Sequence, residues 1–236
     1  GYYDGNTVTG LWNYAQNFAM NDNSFSTIFG PSTPGALNLI AGTVADATMH
    51  DPATGEQQKI KDGENHALAG VSEDGMKATV GGDPDPLFDD CSNKSSAGTN
   101  QVAAMHSKNI GDQLNEKDVT WGWFQGGFRP TEEATDNSRA RCGAAHKTLS
   151  GQDQTDYNPH HQPFQYYAST ANPHHLAPSS DEMIGKTDRA NHQYDLKDFD
   201  TALEQGNLPA VSFLKAANYQ DGHAGYSNPL DEQAFI

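Results

Sequence analysis

One stretch, residues 26–42, constrains the fold more than any other part of the chain. Its Gly30-Pro31 pair forces a turn. A helix is predicted to begin after this turn, at Thr33 or Pro34, because proline is well tolerated in a first helical turn. Gly42 is expected to end the helix.

The start of this helix could be structural or functional. Ser32 or Thr33 is predicted as the N-cap, whose hydroxyl accepts from a backbone N–H. The same position suits a phosphate, because the helix dipole favours anions there. A short strand or an extended segment over residues 25–29 would lead into the turn. The strand alternative predicts an α/β arrangement with a site at the carboxyl end of a strand. The residues alone leave both interpretations open.

Hydrophobic periodicity and turn residues predict further helices and strands, and the helices are mostly followed by strands, as in α/β proteins. Three helices are predicted, an amphipathic one over residues 11–20, one over 101–114, and one over 195–205 with Asp195 as its N-cap and Gly206 as its end. Strands are predicted within 75–82 and over 119–124 and 208–216, while 164–169 could be a strand or a helical turn. Residues 43–90 and 129–154 are interpreted as mainly irregular.

Composition narrows the possible partners of the chain. A length of 236 residues suits one domain, and 35% hydrophobic residues with a mean hydropathy of −0.76 predict a compact core with long polar connections. The formal net charge of −17 argues against nucleic acids and anionic lipid surfaces, which attract basic proteins, but it suits divalent cations.

No apolar run approaches the roughly 20 residues of a membrane-spanning helix, and no signal peptide is present. Because the chain begins at Gly1 without Met, a processed or truncated product is expected. Cys91 and Cys142 lie far apart without C-x-x-C spacing, which argues against zinc-ribbon and thioredoxin-like sites. They are either two free thiols or one disulfide.

Several polar doublets stand out in the sequence. His160-His161 lies between two prolines, and His223 follows a predicted strand in a glycine-rich loop, which is where α/β proteins build their sites. By spacing alone, an exposed surface position explains each of these histidines better than a functional one does. His174-His175 and Asp89-Asp90 are interpreted as surface residues rather than metal ligands, and Trp121, Trp123 and Phe124 as core residues of a strand.

Five segments of the chain form a characteristic series. The first is Gly30-Pro31-Ser32-Thr33-Pro34-Gly35 with the helix that follows. The other four are Gly82-Asp83-Pro84-Asp85-Pro86, residues 119–128, residues 157–164 and residues 219–226, and the five extend over nearly the whole chain. In sequence and in order they resemble the bacterial phosphoesterase family of phospholipases C and acid phosphatases, in the alkaline phosphatase superfamily.

The resemblance implies specific roles for four residues of the site. Ser32 would be the nucleophile that forms a phosphoseryl intermediate, with Thr33 beside it in the substrate site. His161 and His223 would line the phosphate pocket, where they bind phosphoryl oxygens or protonate the leaving oxygen. His160 is the alternative to His161.

The resemblance also implies a divalent metal ion, which would lower the pKa of the nucleophilic hydroxyl. Ser32 is the only metal contact that can be assigned, because the family's Glu-Asn and Asp-Asp/Asp-His ligand motifs do not occur in the chain. The chain is therefore interpreted as an internal fragment that could be inactive. Since the family is exported, a periplasmic or secreted bacterial location and a Cys91–Cys142 disulfide are expected.

The implied fold is α/β, a parallel-sheet sandwich of the alkaline phosphatase superfamily type that is loop-rich and incomplete at both ends. Residues 1–236 would form one catalytic domain, with 43–118 and 129–195 as loop-rich insertions. The expected substrate is a phosphate monoester or a phospholipid. A sulfatase is disfavoured because no Arg follows Ser32 closely. The alternative function is a non-catalytic fragment that binds phosphate or a partner.

Overall fold

The computed structural model describes residues 3–60, 68–92, 101–148 and 150–236. It is a mixed α/β structure with several small sheets. Its helices are α1 (Thr9–Asn17), α2 (Ser32–Ala41), α3 (Ile110–Asn115), α4 (Leu196–Gln205) and α5 (Pro229–Phe235). Its strands are β1 (Thr48–His50), β2 (Gln57–Gln58), β3 (Leu68–Val71), β4 (Ala78–Val80), β5 (Val102–Ala104), β6 (Trp121–Gln125), β7 (Ala145–Lys147), β8 (Asp153–Thr155), β9 (Gln193–Asp195) and β10 (Val211–Lys215).

A three-stranded parallel sheet in the order β10-β6-β9 is the centre of the α/β part. All five residues of β6 are buried, as a central parallel strand requires. Gly127 ends the segment after β6 with a φ of 74°, a conformation that glycine adopts without strain. The predictions of strands at 119–124 and 208–216 are thus confirmed, with small shifts of their ends.

The other described sheets are small and antiparallel, β2-β1-β5, β3-β4 and β7-β8. The strand predicted within 75–82 is confirmed as β4. The helix predicted over residues 101–114 is wrong in its first half, where β5 pairs with β1. Only Ile110–Asn115 is helical, and it starts at a capping box formed by Asn109 and Asp112.

One hydrophobic core joins the parallel sheet to the antiparallel β1-β5 layer. The aromatic side chains of Trp121, Trp123 and Phe164 pack together in it, with Met49 and Leu37 from the neighbouring elements. Trp121 is completely buried, which confirms the core interpretation of the β6 aromatics. Phe164 belongs to a 3-10 helix, Pro163–Tyr166, so the helical-turn alternative for this segment is the correct one.

The N-terminal part differs most from the prediction. The helix expected over 11–20 is Thr9–Asn17, and none of its residues is buried, so its apolar face contacts no core. Of the two alternatives for residues 25–29, the strand is wrong, and Phe25 and Phe29 are highly exposed. A strand forms only where another strand supplies backbone partners, and none of the described strands pairs with this segment.

Helix α4 follows the prediction closely. Asp195 is its N-cap in a capping box with Asp198, and Gly206 ends it in the left-handed conformation. The structure also contains the Cys91–Cys142 disulfide. Across the described residues, no helix has both the length and the apolar character that crossing a membrane requires.

Candidate active site

Ser32 is the first residue of α2, which begins one residue earlier than predicted. Pro31 is the N-cap, and neither hydroxyl caps the helix, so the N-cap prediction for Ser32 and Thr33 is wrong. Residues that are far away in the sequence bind the start of the helix instead. The Thr33 backbone N–H donates to Asp83 Oδ1 over 2.9 Å, and the Thr33 hydroxyl donates to the carbonyl oxygen of His160 over 3.1 Å.

Ser32 is exposed, and two polar side-chain atoms lie beside its hydroxyl. His161 Nε2 lies 2.8 Å from Ser32 Oγ, and Asp83 Oδ1 lies 3.4 Å from the same atom. The 3-10 helix Pro159–His161 brings the histidine to α2, and its proline ring fixes the backbone at the first position. A serine hydroxyl bonded to an imidazole nitrogen is the pair from which nucleophilic catalysis starts.

His161 is almost completely buried, and its surroundings keep it neutral. Burial lowers the pKa of His161 to about 2, and the positive charge of Lys215 and the neighbouring His160 and His223 act in the same direction. Asp221 Oδ2 is 3.8 Å from His161 Nδ1, too far for a hydrogen bond. The Asp221 carboxylate cannot offset the burial, because Lys215 Nζ lies only 3.2 Å from the same oxygen.

The other two predicted histidines lie around this centre without contacting Ser32. His160, the alternative in the doublet, pairs through Nδ1 with the buried Asp85 at 3.4 Å. His223 is exposed, and its ring stacks on Tyr226 with centroids 4.4 Å apart. Burial and the nearby Asp221 raise the pKa of the Tyr226 hydroxyl, which therefore stays protonated as a hydrogen-bond donor.

A cavity of about 550 Å³ shares residues with the surroundings of this centre. His160, His223 and Tyr226 line it together with the disulfide, whereas Ser32 and His161 do not.

The side chains present do not complete a metal site. Among the described residues, the cluster with three potential ligand atoms within 4.8 Å of one another is Cys91, Cys142 and His175. Its cysteines are joined as a disulfide and offer no thiolate, so it does not fit a metal ion. Ser32 and Asp83 offer two oxygens at the nucleophile, fewer than the roughly four or more ligands that divalent ions take.

Two doublets that were interpreted as surface residues are partly buried, so those predictions are wrong for Asp89 and His175. His175 Nε2 donates to Asp89 Oδ1 over 2.8 Å, and its Nδ1 donates to the carbonyl oxygen of Phe128 over 2.7 Å. Burial would lower the pKa of His175, but the Asp89 charge and these hydrogen bonds outweigh it and raise the pKa. Asp89 also accepts from the buried Tyr157 hydroxyl.

Asp83, Lys215 and Asp221 are site residues for which the sequence gave no role. Asp83 and Asp221 do lie in two of the segments that carry the family resemblance, which was the available signal. Lys215 had no such signal. It ends β10 with its ammonium group largely buried, which lowers its pKa despite the opposing effect of Asp221.

Comparison with known proteins identifies the family of the chain. The family model described as Phosphoesterase family matches residues 1–236, so the chain belongs to the Phosphoesterase family. No curated protein matches the chain. Family membership supports hydrolysis of phosphoric esters.

Proposed function

We propose that this member of the Phosphoesterase family hydrolyses phosphate esters with Ser32 as the nucleophile. The single observation that carries the proposal is the 2.8 Å contact between Ser32 Oγ and His161 Nε2 at the first turn of α2. The start of a helix carries partial positive charge, which attracts a phosphoryl group to the position of the hydroxyl.

The reaction has two displacement steps. In the first, Ser32 Oγ bonds to phosphorus, its proton passes to His161 Nε2, and the bond between phosphorus and the ester oxygen breaks. The leaving oxygen keeps the electron pair and takes a proton from His223, which lines the adjoining cavity. In the second, water gives a proton to His223, which lost its own in the first step, and bonds to phosphorus. The bond between phosphorus and Ser32 Oγ breaks, Oγ keeps the electron pair and takes back the proton held by His161, and inorganic phosphate leaves.

The low pKa of His161 links its basicity to the substrate. In the free protein the imidazole resists protonation because it is buried near Lys215. A bound phosphoryl dianion would add negative charge within a few ångströms and raise that pKa. His161 therefore becomes a competent proton acceptor when the substrate is present.

The finer assignment is an acid phosphatase or phospholipase C type of activity in the periplasm or outside the cell. The Ser-Thr-Pro-Gly sequence at the nucleophile favours the phosphatase type, and the Cys91–Cys142 disulfide favours an oxidising compartment. The resemblance adds a divalent ion to this proposal, but its ligands are incomplete among the described residues. That incompleteness favours a second candidate, a phosphate-binding module without turnover.

The test is turnover of p-nitrophenyl phosphate combined with trapping of the intermediate. Acid quenching during turnover should give a phosphoryl adduct on the peptide that contains Ser32, detected by mass spectrometry. Ser32→Ala should abolish the adduct and lower kcat by at least about a thousandfold, as expected for loss of a nucleophile. Thr33→Ser, which keeps a hydroxyl at the neighbouring position, is the control and should retain both. Turnover that survives Ser32→Ala would refute the assignment.

A further inference from the structure

We propose that Asp221 is a positioning residue that orients His161 towards Ser32, so that the three side chains form a Ser–His–Asp triad during the reaction. This inference rests on the proposed function, because it assigns the group that holds the proton acceptor of Ser32 in place. In the free protein the triad is open at one contact. Ser32 Oγ lies 2.8 Å from His161 Nε2, whereas Asp221 Oδ2 lies 3.8 Å from His161 Nδ1.

The second ring nitrogen of His161 is the observation that points to a further partner. His161 Nδ1 is buried and has no hydrogen-bond partner among the described residues. Nearly all buried polar atoms in folded proteins have such a partner, because an unpaired one loses its hydration without compensation. Within the part of the chain that the structure describes, the carboxylate closest to this nitrogen is that of Asp221. Asp221 is therefore the acceptor available to a proton on Nδ1.

The position of the proton on His161 decides whether the ring can act on Ser32. A neutral imidazole carries its proton on either Nδ1 or Nε2. With the proton on Nε2, the ring donates to Ser32 Oγ, and the Ser32 hydroxyl is left to donate to Asp83 Oδ1, 3.4 Å away. With the proton on Nδ1, Nε2 has a free lone pair that accepts from the hydroxyl. A carboxylate that accepts from Nδ1–H favours the second form, the one that can take the Ser32 proton.

A small displacement would close the contact. Hydrogen bonds from nitrogen to oxygen are about 2.7–3.2 Å long, so Asp221 Oδ2 and His161 Nδ1 have to approach by roughly 1 Å. Asp221 follows the 3-10 helix Asn218–Gln220, and its Oδ1 accepts from the backbone N–H of His223 over 3.0 Å. Lys215 Nζ lies 3.2 Å from Oδ2. Since a carboxylate oxygen has two lone pairs, Oδ2 can accept from Lys215 and His161 together.

Proton transfer from Ser32 supplies the reason for this displacement. When His161 Nε2 takes that proton, the imidazole becomes a cation and its Nδ1 keeps the proton it already holds. The cation attracts the Asp221 carboxylate, and Nδ1–H donates to Oδ2. No proton passes to Asp221, and His161 returns the Ser32 proton in the second displacement. The Asp221 contact thus stabilises a form of His161 that exists only during the reaction, and such an interaction raises kcat.

The first test is steady-state turnover of p-nitrophenyl phosphate by Asp221→Asn. The asparagine amide can donate to Nδ1, which favours the wrong tautomer, and it has no charge to stabilise the imidazolium ion. The value of kcat should fall by roughly a hundredfold or more, with KM changed by less than about threefold. Asp200→Asn removes an exposed carboxylate on α4 and is the matched control that should leave both values unchanged.

Asp221→Glu separates the role of the carboxylate from that of packing. This variant keeps the charge and the acceptor, so its kcat should be about tenfold or more above that of Asp221→Asn. An equal loss in both variants would show that packing rather than the carboxylate matters, and it would overturn the inference. A kcat of Asp221→Asn within about threefold of the unmodified protein would overturn it as well.

The second test observes the Nδ1 proton by NMR and needs no turnover. Isotope-labelled histidine is compared in the free protein and with orthovanadate, which bonds to nucleophilic hydroxyls as a transition-state analogue. The signals of His161 are identified by their absence from His161→Gln. Vanadate should shift the Nδ1–H proton downfield, as expected on bonding to a carboxylate, and Asp221→Asn should abolish this shift. A His161 signal that vanadate leaves unchanged in the unmodified protein would overturn the inference, even if no variant of Asp221 folds.

These outcomes are distinguishable from failure of the proposed function. If the phosphoryl adduct forms on Ser32 and Asp221→Asn keeps its kcat, only the positioning inference fails. If the unmodified protein gives neither turnover nor adduct but vanadate still shifts the Nδ1–H proton, the triad contact is retained and the hydrolytic function fails. Absence of turnover and of the shift together would overturn both.

Discussion

The buried, neutral state of His161 predicts a measurable dependence of stability on pH. The pKa of His161 is about 2 in the folded protein and about 6.5 when the histidine is exposed in the unfolded chain. As the pH falls below the higher value, the unfolded chain takes up a proton that the folded protein does not. Stability is therefore fully present above about pH 6.5 and is lost as the pH falls towards the folded-state value.

The magnitude follows from these two values. Between about pH 7 and about pH 5, one such group lowers the free energy of unfolding by about 2 kcal/mol, since the folded protein remains unprotonated over this range. The groups that face His161 are Asp221, Lys215, His160 and His223. The Asp221 carboxylate favours protonation, and its pairing with Lys215 limits that effect.

The assay is urea denaturation of the unmodified protein and of His161→Gln at both pH values. Substituting the histidine removes its titration, so the variant should lose about 2 kcal/mol less between the two pH values than the unmodified protein. His174→Gln is the matched control, because its side chain is 59% exposed and the substitution leaves the buried histidine in place. Equal losses for the unmodified protein and His161→Gln would refute the reasoning. They would mean that Asp221 holds His161 as the imidazolium ion.

Two further predictions concern the buried framework around the cavity. Replacing both Cys91 and Cys142 by Ser should lower the free energy of unfolding by about 4 kcal/mol, because the disulfide closes a loop with a sequence separation of 51 residues; a loss below about 1 kcal/mol in urea denaturation would contradict this. Asp89→Asn removes the charged partner of the buried His175 and should cost about 3 kcal/mol in thermal denaturation. Unchanged stability of that variant would show that the pair contributes nothing net.

The elements that the sequence predicted correctly carry their signals locally. Helix α4 has its N-cap Asp195 and its terminating Gly206 within the segment itself, and β6 is a compact apolar run that ends at Gly126-Gly127. No distant residue is needed to identify either one. The start of α3 could have been predicted from a local signal too, since Asn109 and Asp112 have the spacing of a capping box.

The failures depend on residues far apart in the chain. Residues 102–104 have a helix-compatible pattern, but they form β5 because β1, some 50 residues earlier, supplies the backbone partners. His175 looks like a surface residue until Asp89, 86 positions away, is placed beside it. Residues 25–29 lack such a partner. Phe25 and Phe29 are exposed there, and the apolar segment does not form a strand because none of the described strands pairs with it.

The candidate site shows why a motif identifies residues but not their chemistry. The family resemblance named Ser32 and His161, and the structure places these side chains in contact. The low pKa of His161 is caused first by burial and then by the positive charge of Lys215, which enters from β10. A lysine without its aspartate would oppose the imidazolium ion more strongly, and an aspartate without its lysine would stabilise it in the free protein. Because burial and Lys215 keep His161 neutral in the free protein, we expect a phosphoryl dianion bound at Ser32 to raise the pKa of His161 and so to favour transfer of the Ser32 proton to it.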